Sequence, residues 1–260
     1  MRLFATDLDK TLIPNGSAEY DNSMTFLFSS LEKKNISLAY VSGRSLDSIM
    51  SAIREFDLKW PDFIISRVGG EVYYYSDGEY VLFKKWDDRI KFQNENWSID
   101  SIKQILRSVS ELELQPAGEQ SEFKLSYFIN SYDNADLVKS RVYSLLSSNN
   151  MNVNLVLLKD EDSGVVYFDI LPFGVGKIEA LDFLVNDKNF EDFVYAGDSE
   201  NDLDVLNSDR KSILVKNATD EVKSKISSNY CYVCQGNDRF NGNYSGGIIE
   251  GLMYYEWIEE

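Results

Sequence analysis

Short apolar runs alternate with segments of helical period, and this alternation restricts the possible folds of the chain more than any other feature. The run ending at Thr6 is followed by helical spacing at Met24, Leu27, Phe28 and Leu31. A second run, over residues 36–41, precedes Leu46, Ile49, Ile53 and Phe56, and Phe63-Ile64-Ile65 follows. Strand alternating with helix predicts a parallel sheet with helices on its faces. The rhythm stops where Val72-Tyr73-Tyr74-Tyr75 and Tyr80-Val81-Leu82-Phe83 flank Asp77-Gly78. Asp-Gly supplies the positive φ angles of a tight hairpin.

Beyond the hairpin the order becomes helix (99–112), strand (123–129), helix (135–147) and strand (153–158), a different α/β unit. A strand over 165–171, a helix over 177–185, a strand over 193–196 and a short helix over 203–206 then restore the rhythm. Strands over 213–215 and 230–233, with a helix between them, and a closing helix over 248–257 complete the chain. With 260 residues, one core plus a sizeable insertion is expected. The expected fold class is α/β: a Rossmann-like parallel-sheet core with helices on both faces, formed by 1–83 and 169–260, plus a smaller inserted α/β domain over 84–168.

Lys and Arg number 26 against 43 Asp and Glu, a formal charge of −17. Such a surface repels nucleic acids and anionic lipids, so neither a nucleic acid nor a membrane is an expected partner. A small phosphate ester can still bind where a metal ion and a few aimed cations reverse the field locally. The chain has no histidine, which excludes Ser-His-Asp triads, His-x-x-Glu-His zinc sites and phosphohistidine chemistry. Carboxylates, Lys and hydroxyls must therefore carry the chemistry. Cys231 and Cys234, three apart in an extended segment, face opposite sides, so neither a shared metal nor a disulfide framework is expected. Asp7 interrupts any would-be signal sequence and no run of about 18 apolar residues appears, so a cytoplasmic location is expected.

Asp7-Leu8-Asp9-Lys10-Thr11 directly follows the first apolar run. Residues two apart in extended chain point the same way, so both carboxylates face one space; a polar turn capped by Asp9 is the other reading. Two more polar clusters follow strand-like runs, Ser42-Gly43-Arg44 and Gly197-Asp198-Ser199-Glu200-Asn201-Asp202. Open parallel sheets gather their sites at the C-terminal ends of strands. Asp198 and Asp202 are one helical turn apart, with Asn201 beside them, and stacked like charges need a cation or donors between them. Mg²⁺, which takes oxygen ligands and few protein carboxylates, meets that need. Lys177, opening a helix, can reach the same edge; taken alone it reads as a solvated first-turn lysine, and Ser42 alone as an N-cap.

Three other motifs fail on position. An EF-hand loop needs Gly where Leu12 or Leu203 stands, and a Walker A loop around Gly176-Lys177 needs Gly at Leu171 and Ser or Thr at Ile178. A nucleophile elbow at Ser199 lacks its second Gly, at Asn201, and its histidine.

Together, Asp-x-Asp-x-Thr, a strand-terminal Ser-Gly-Arg, a later Lys and Gly-Asp-x-x-x-Asp resemble the four motifs of the haloacid dehalogenase superfamily of phosphatases. The resemblance extends along the chain to its sucrose-phosphatase-like, Cof-type branch through Leu38-Ala39-Tyr40-Val41-Ser42-Gly43-Arg44-Ser45, Val68-Gly69-Gly70-Glu71, Phe123-Lys124-Leu125-Ser126-Tyr127 and Asp169-Ile170-Leu171-Pro172. That branch carries a cap of the C2B type between its second and third motifs, where the insertion lies. It usually has Ser or Thr at Gly70, near the expected substrate mouth, and Gly at Ile178.

The resemblance implies a Mg²⁺-dependent phosphatase acting on a small phosphate ester, a sugar phosphate, as a monomer or small homo-oligomer. It implies Asp7 as the nucleophile, forming an aspartyl phosphate, and Asp9 as acid and base. Asp7, Asp198 and the Asp9 carbonyl would hold the metal, with Asp202 supporting its shell or Lys177. Thr11, Ser42, Gly43, Lys177 and Asn201 would bind phosphoryl oxygens. Arg44, Lys124, Tyr127 and Lys159 are candidate substrate contacts, against the alternative of an ordinary sheet face with surface lysines. A phosphosugar mutase shares this chemistry, and a shorter, cap-less phosphoacceptor signalling domain shares its acids, hydroxyl and Lys.

Overall fold

The computed structural model describes residues 1–160 and 163–259. Its first half comprises β1 (Arg2–Thr6), α1 (Met24–Lys33), β2 (Ser37–Val41), α2 (Leu46–Glu55), β3 (Phe63–Ser66), β4 (Glu71–Ser76), β5 (Glu79–Leu82), α3 (Lys84–Gln93), α4 (Ile99–Leu106), β6 (Leu112–Leu114) and β7 (Leu125–Ile129). There follow α5 (Ala135–Ser148), β8 (Val153–Asp160), β9 (Val165–Pro172), α6 (Lys177–Lys188), β10 (Asp192–Gly197), α7 (Leu203–Leu206), β11 (Lys211–Leu214), α8 (Asp220–Ser224), β12 (Cys231–Val233) and α9 (Tyr244–Tyr254).

Eight strands form one sheet in the order β12-β11-β10-β1-β2-β3-β4-β5. The first six run parallel, and β4 and β5 extend the edge antiparallel. The hairpin turns at Asp77 (φ 52) and Gly78 (φ 96), as the Asp-Gly pair predicts. Successive residues of a strand leave opposite faces, and here both faces are buried. Leu3, Ala5, Ala39, Val41, Phe193 and Tyr195 pack on one side with residues of α3, α6, α7 and α8. Phe4, Leu38, Tyr40, Val194 and Ala196 pack on the other with α1, α2 and α9. Burial on both faces explains why these strands are continuous apolar runs rather than alternating ones. Cys231 and Cys234 join opposite clusters and are both free thiols. This is the expected α/β core. Among the described residues no helix is long and apolar enough to cross a membrane.

The second sheet is antiparallel, in the order β6-β7-β9-β8. Leu125, Tyr127, Ile129, Leu155, Leu157, Val166, Phe168 and Ile170 cover one of its faces and pack against α4 and α5. Residues of the other parity, among them Phe128, Val156, Leu158, Tyr167 and Asp169, face a cavity shared with the large sheet.

Both expected boundaries of the insertion shift. Residue 169 falls inside β9, which stays in the second sheet to Pro172 because its last residues pair with Val153 to Val156 and Leu125 to Ser126. The segment after residue 83 forms α3, whose Trp86 and Ile90 are buried in the core with β1 and α6.

β1 lies between β2 and β10, so the chain order reverses there. At such a switch point a crevice opens beyond the carboxyl ends of the strands. A backbone contact sets one wall of it. Gly69 has φ +94, and a Cβ on it would lie 2.2 Å from the Gly176 carbonyl oxygen. Only glycine allows that approach, which seats the N-terminus of α6, and with it Lys177, against the turn after β3.

Candidate active site

Four segments deliver polar groups to the crevice. The pairing of β1 with β10 continues one residue past Thr6, where the Asp7 N–H donates to the Ala196 carbonyl at 2.9 Å, and the Ser42 N–H likewise donates to the Ile65 carbonyl at 2.9 Å. β10 ends at Gly197, directly before Asp198. Lys177 is the first residue of α6, after the N-cap Gly176.

Lys177 is not the solvated lysine that its position alone suggests: its side chain is 0% exposed. Its Nζ lies 2.6 Å from Asp202 Oδ1, 3.0 Å from Asn201 Oδ1, 3.1 Å from Asp7 Oδ1 and 3.3 Å from the Tyr195 hydroxyl. An ammonium has three N–H donors, so this one is fully engaged. Burial opposes its charge, but Asp202 and Asp7 outweigh burial and raise its pKa well above the lysine range.

Asp202 accepts the N–H groups of Asp198 and Ser199 at 3.0 Å each through Oδ2, while Oδ1 takes Lys177 and the Tyr195 hydroxyl. Burial pushes its carboxyl up, yet Lys177 and these donors bring it below the usual range. The expected stacking of Asp198 and Asp202 on one α-helical turn does not occur. Residues Glu200–Asp202 form a 3-10 turn, and Asp202 folds back onto the backbone preceding it. A Cβ at residue 197 would sit 2.6 Å from Asp202 Cγ, so Gly197 makes room for that return.

Asp7 and Asp198 are 6% and 7% exposed. One oxygen from each, with one from Asp202, lie within 4.8 Å of one another. Burial, only partly offset by Lys177, pushes Asp7 up to about 7, and burial with the neighbouring Asp202 and Asp7 pushes Asp198 well above the carboxylate range. Converging carboxylates held against their own ionisation suit a hard divalent cation with oxygen ligands. Both Asp202 oxygens already serve protein donors, which leaves Asp7 and Asp198 as the side chains with capacity for the ion.

Thr11 does not line the cavity. It is fully buried and donates its hydroxyl to Asp198 Oδ1 at 2.6 Å, so it orients an acid instead of meeting a phosphoryl oxygen. Ser42, Gly43 and Asn201 do line it. Asn201 accepts from Lys177 through Oδ1, leaving its NH2 as a donor. Arg44 grips Asp9 through Nε at 2.7 Å and Nη2 at 2.6 Å, and Asn15 Nδ2 adds a third donor at 2.7 Å. Burial pushes the Asp9 carboxyl up, but Arg44 and Asn15 together bring it below the usual range.

The cavity measures about 770 Å³ and is walled by both sheets. Lys124 lines it, 3% exposed and 3.1 Å from Asp169. Lys159 lines it too, paired with Asp136 at 2.6 Å. Tyr127 does not: its ring lies in the core between the second sheet and its helices, because a residue three positions from Lys124 in a strand faces the other way. Gly70 is also absent from the lining. Asn15, Gln115, Phe128, Tyr167, Asp169 and Tyr195 belong to the site or its support without having been expected. For Phe128, Tyr167 and Asp169 the parity of their strands carried the signal; for Asn15, Gln115 and Tyr195 the sequence carried none.

The model of a family described as sucrose-6F-phosphate phosphohydrolase matches residues 1–256. A putative HAD-like hydrolase of Nitrosococcus oceani is 33% identical, covering 99% of this chain and 74% of that protein. A probable sucrose-phosphatase of Arabidopsis thaliana is 28% identical over 85% of this chain, which spans only 52% of the plant protein's length. The sucrose-phosphatase from Synechocystis, solved in complex with sucrose and phosphate, has the same fold: TM-score 0.82, 24% identity, 98% of this chain and 99% of that one covered. The chain belongs to the sucrose-6F-phosphate phosphohydrolase family, within the phosphatases of the haloacid dehalogenase superfamily.

Proposed function

We propose that this phosphatase hydrolyses a small sugar phosphate, in the presence of Mg²⁺, through an aspartyl phosphate on Asp7. The observation that carries the reading is the buried ring of Asp7, Asp198, Asp202 and Lys177, of which Asp7 and Asp198 line a cavity roofed by a separate sheet. Asp7 presents a nucleophilic oxygen already oriented by Lys177, so attack on phosphorus replaces one difficult displacement with two easier ones. Asp9, on the same side of the chain, gives a proton to the departing sugar oxygen and later takes one from the attacking water. Ser42, the Asn201 amide and backbone N–H groups near Gly43 hold the phosphoryl oxygens as charge develops on them. Mg²⁺, held by Asp7, Asp198 and the Asp9 carbonyl, would supply charge stabilisation of the phosphoryl group and permit both buried acids to ionise. Asp202 and Thr11 keep Lys177 and Asp198 in place.

The second sheet unit acts as the cap that selects the sugar. Its Phe128 and Tyr167 rings, 5.6 Å apart, offer apolar faces, and Gln115, Glu119, Lys124 and Asp169 offer polar groups of both signs, a mixture suited to a polyhydroxylated ligand. Lys10 to Asp160 at 2.8 Å and Arg67 to the Gly118 carbonyl at 2.9 Å hold the cap against the core. A volume of about 770 Å³ accommodates either a hexose phosphate or a disaccharide phosphate such as a sucrose phosphate.

A panel of phosphorylated mono- and disaccharides, assayed for inorganic phosphate with Mg²⁺ and with EDTA, tests this. Phosphate release from at least one sugar phosphate, abolished by EDTA, is expected. An isomerised sugar phosphate in place of free phosphate would identify a mutase and overturn the hydrolase reading.

Mg²⁺ binding has an expected pH signature. The folded pKa of Asp7 is raised from 3.8 to about 7, so in metal-free protein its contribution to stability is present below about pH 4 and lost as pH rises towards 7. The ion binds the ionised form, so its stabilising increment grows over the same interval. At free Mg²⁺ of 100 times Kd the increment is about 2.7 kcal/mol, or roughly 5–10 °C in Tm. Thermal melts with Mg²⁺ and EDTA from pH 5 to pH 8 should show the two curves diverging as pH rises.

A further inference from the structure

The Asp9 carboxylate is held by two chain segments. Arg44, between β2 and α2, donates to both of its oxygens, from Nε to Oδ2 and from Nη2 to Oδ1, and Asn15 Nδ2 donates to Oδ1. The holders are themselves anchored. The Arg44 N–H donates to Ser42 Oγ at 3.3 Å, its carbonyl accepts from the Arg67 N–H at 3.0 Å, and Nη1 donates to Ser48 Oγ at 3.3 Å. Asn15 Oδ1 accepts the Lys10 N–H at 2.8 Å. A planar guanidinium gripping a carboxylate by two parallel bonds fixes its direction as well as its place, which an ammonium cannot do. The carboxylate side chain is 38% exposed and lines the cavity, and these three bonds fix its direction.

We propose that Arg44 is a positioning residue: it aims the Asp9 carboxyl at the ester oxygen that leaves with the sugar, and it does not act by gripping the sugar. All three guanidinium nitrogens already donate to protein oxygens. The inference rests on the reading of Asp9 as proton carrier. In that step a proton carried in by the phosphate monoester passes through Asp9 to the departing oxygen as the Asp7–phosphorus bond forms and the phosphorus–oxygen bond to the sugar breaks, which returns Asp9 to the carboxylate that Arg44 grips. A misaimed Asp9 therefore lowers kcat/KM, which reports the steps up to aspartyl-phosphate formation, only for substrates whose leaving oxygen needs that proton. Its later part in activating water is common to all substrates and enters kcat alone.

The test compares p-nitrophenyl phosphate, whose phenolate departs unprotonated, with benzyl phosphate, a substrate of similar size whose alkoxide does not. kcat and KM are measured with Mg²⁺ for the parent, Arg44→Gln, Asp9→Asn and the double variant. Arg44→Gln should lose at least about tenfold more kcat/KM on benzyl phosphate than on p-nitrophenyl phosphate, part of the 10²–10⁴-fold available from general acid catalysis. The double variant should be no slower on benzyl phosphate than Asp9→Asn alone. Equal losses of kcat/KM on both substrates, a loss confined to KM, or additive losses in the double variant would overturn the proposal. Arg44→Lys, which keeps the charge without the two-bond grip, should show the same bias to a lesser degree and replaces Arg44→Gln if the latter misfolds. If Asp9→Asn itself shows no bias towards benzyl phosphate, the proton-carrier reading fails; if it shows the bias and Arg44→Gln does not, only the role given to Arg44 fails.

Discussion

Asp7→Asn is expected to lower kcat on a sugar phosphate by about 10⁶-fold, the scale reached when a covalent nucleophile is removed, while the protein stays folded. Asn matches Asp in shape, and its Oδ1 can still accept the Lys177 bond now made at 3.1 Å. The loss of one buried anion also relieves Asp198, whose ionisation Asp7 opposes. The melting temperature in EDTA should therefore hold or rise, whereas the increment given by Mg²⁺ should shrink because a ligand has been neutralised. Phosphate release and melts on the same preparation check both halves. Turnover within about tenfold of the parent would remove Asp7 from the role of nucleophile, since general acid–base or electrostatic contributions alone leave larger deficits.

Lys177→Met is expected to cost both stability and activity. The ammonium lies between Asp7 and Asp202 with no exposure, and its removal leaves buried carboxylates uncompensated, a change worth about 3–5 kcal/mol, or roughly 6–20 °C in Tm. The deficit should narrow as pH falls towards 4, where the stranded carboxylates take up protons and lose their charge. Lys85→Met provides the comparison: Lys85 pairs with Asp187 at 2.8 Å but is 71% exposed, and a change there is expected to stay within about 0.5 kcal/mol. Thermal or chemical unfolding of the two variants across pH measures the contrast.

The large sheet was legible because its strands are buried on both faces and so appear as unbroken apolar runs, each ended by the polar cluster that the sheet's carboxyl edge collects. Asp7, Asp9, Ser42, Asp198 and Asp202 come together for that reason, and Lys177 joins them from the N-terminus of α6, seated by the close approach of Gly69 to Gly176. Where the expectation missed, a local rule gave way to a tertiary one. Spacing of four suggested helical stacking of Asp198 and Asp202, but the Asp198 and Ser199 N–H groups offered Asp202 better partners. Thr11 shares the loop of Asp7 and Asp9, yet its hydroxyl turns inward to Asp198. Lys124 and Tyr127 could not both face the cavity, and the parity argument that separates Cys231 from Cys234 applies to them equally. The end of the second sheet was hidden because nothing in Val165–Pro172 changes character where the expected boundary fell; only its pairing with β7 and β8 assigns it. Asn15 belongs to no motif, and its contact with Asp9 depends on a loop path that spacing does not reveal.

With Asp7 as the nucleophile, the phosphoryl group passes through an Asp7 acyl phosphate during every turnover. Acid quench of the enzyme during turnover of a ³²P-labelled sugar phosphate, followed by peptide mapping of the labelled protein, observes this directly. Label on the peptide carrying Asp7, formed with Mg²⁺, absent with EDTA and absent in Asp7→Asn, is the predicted result. Label on any other residue, or undiminished label in Asp7→Asn, would contradict it.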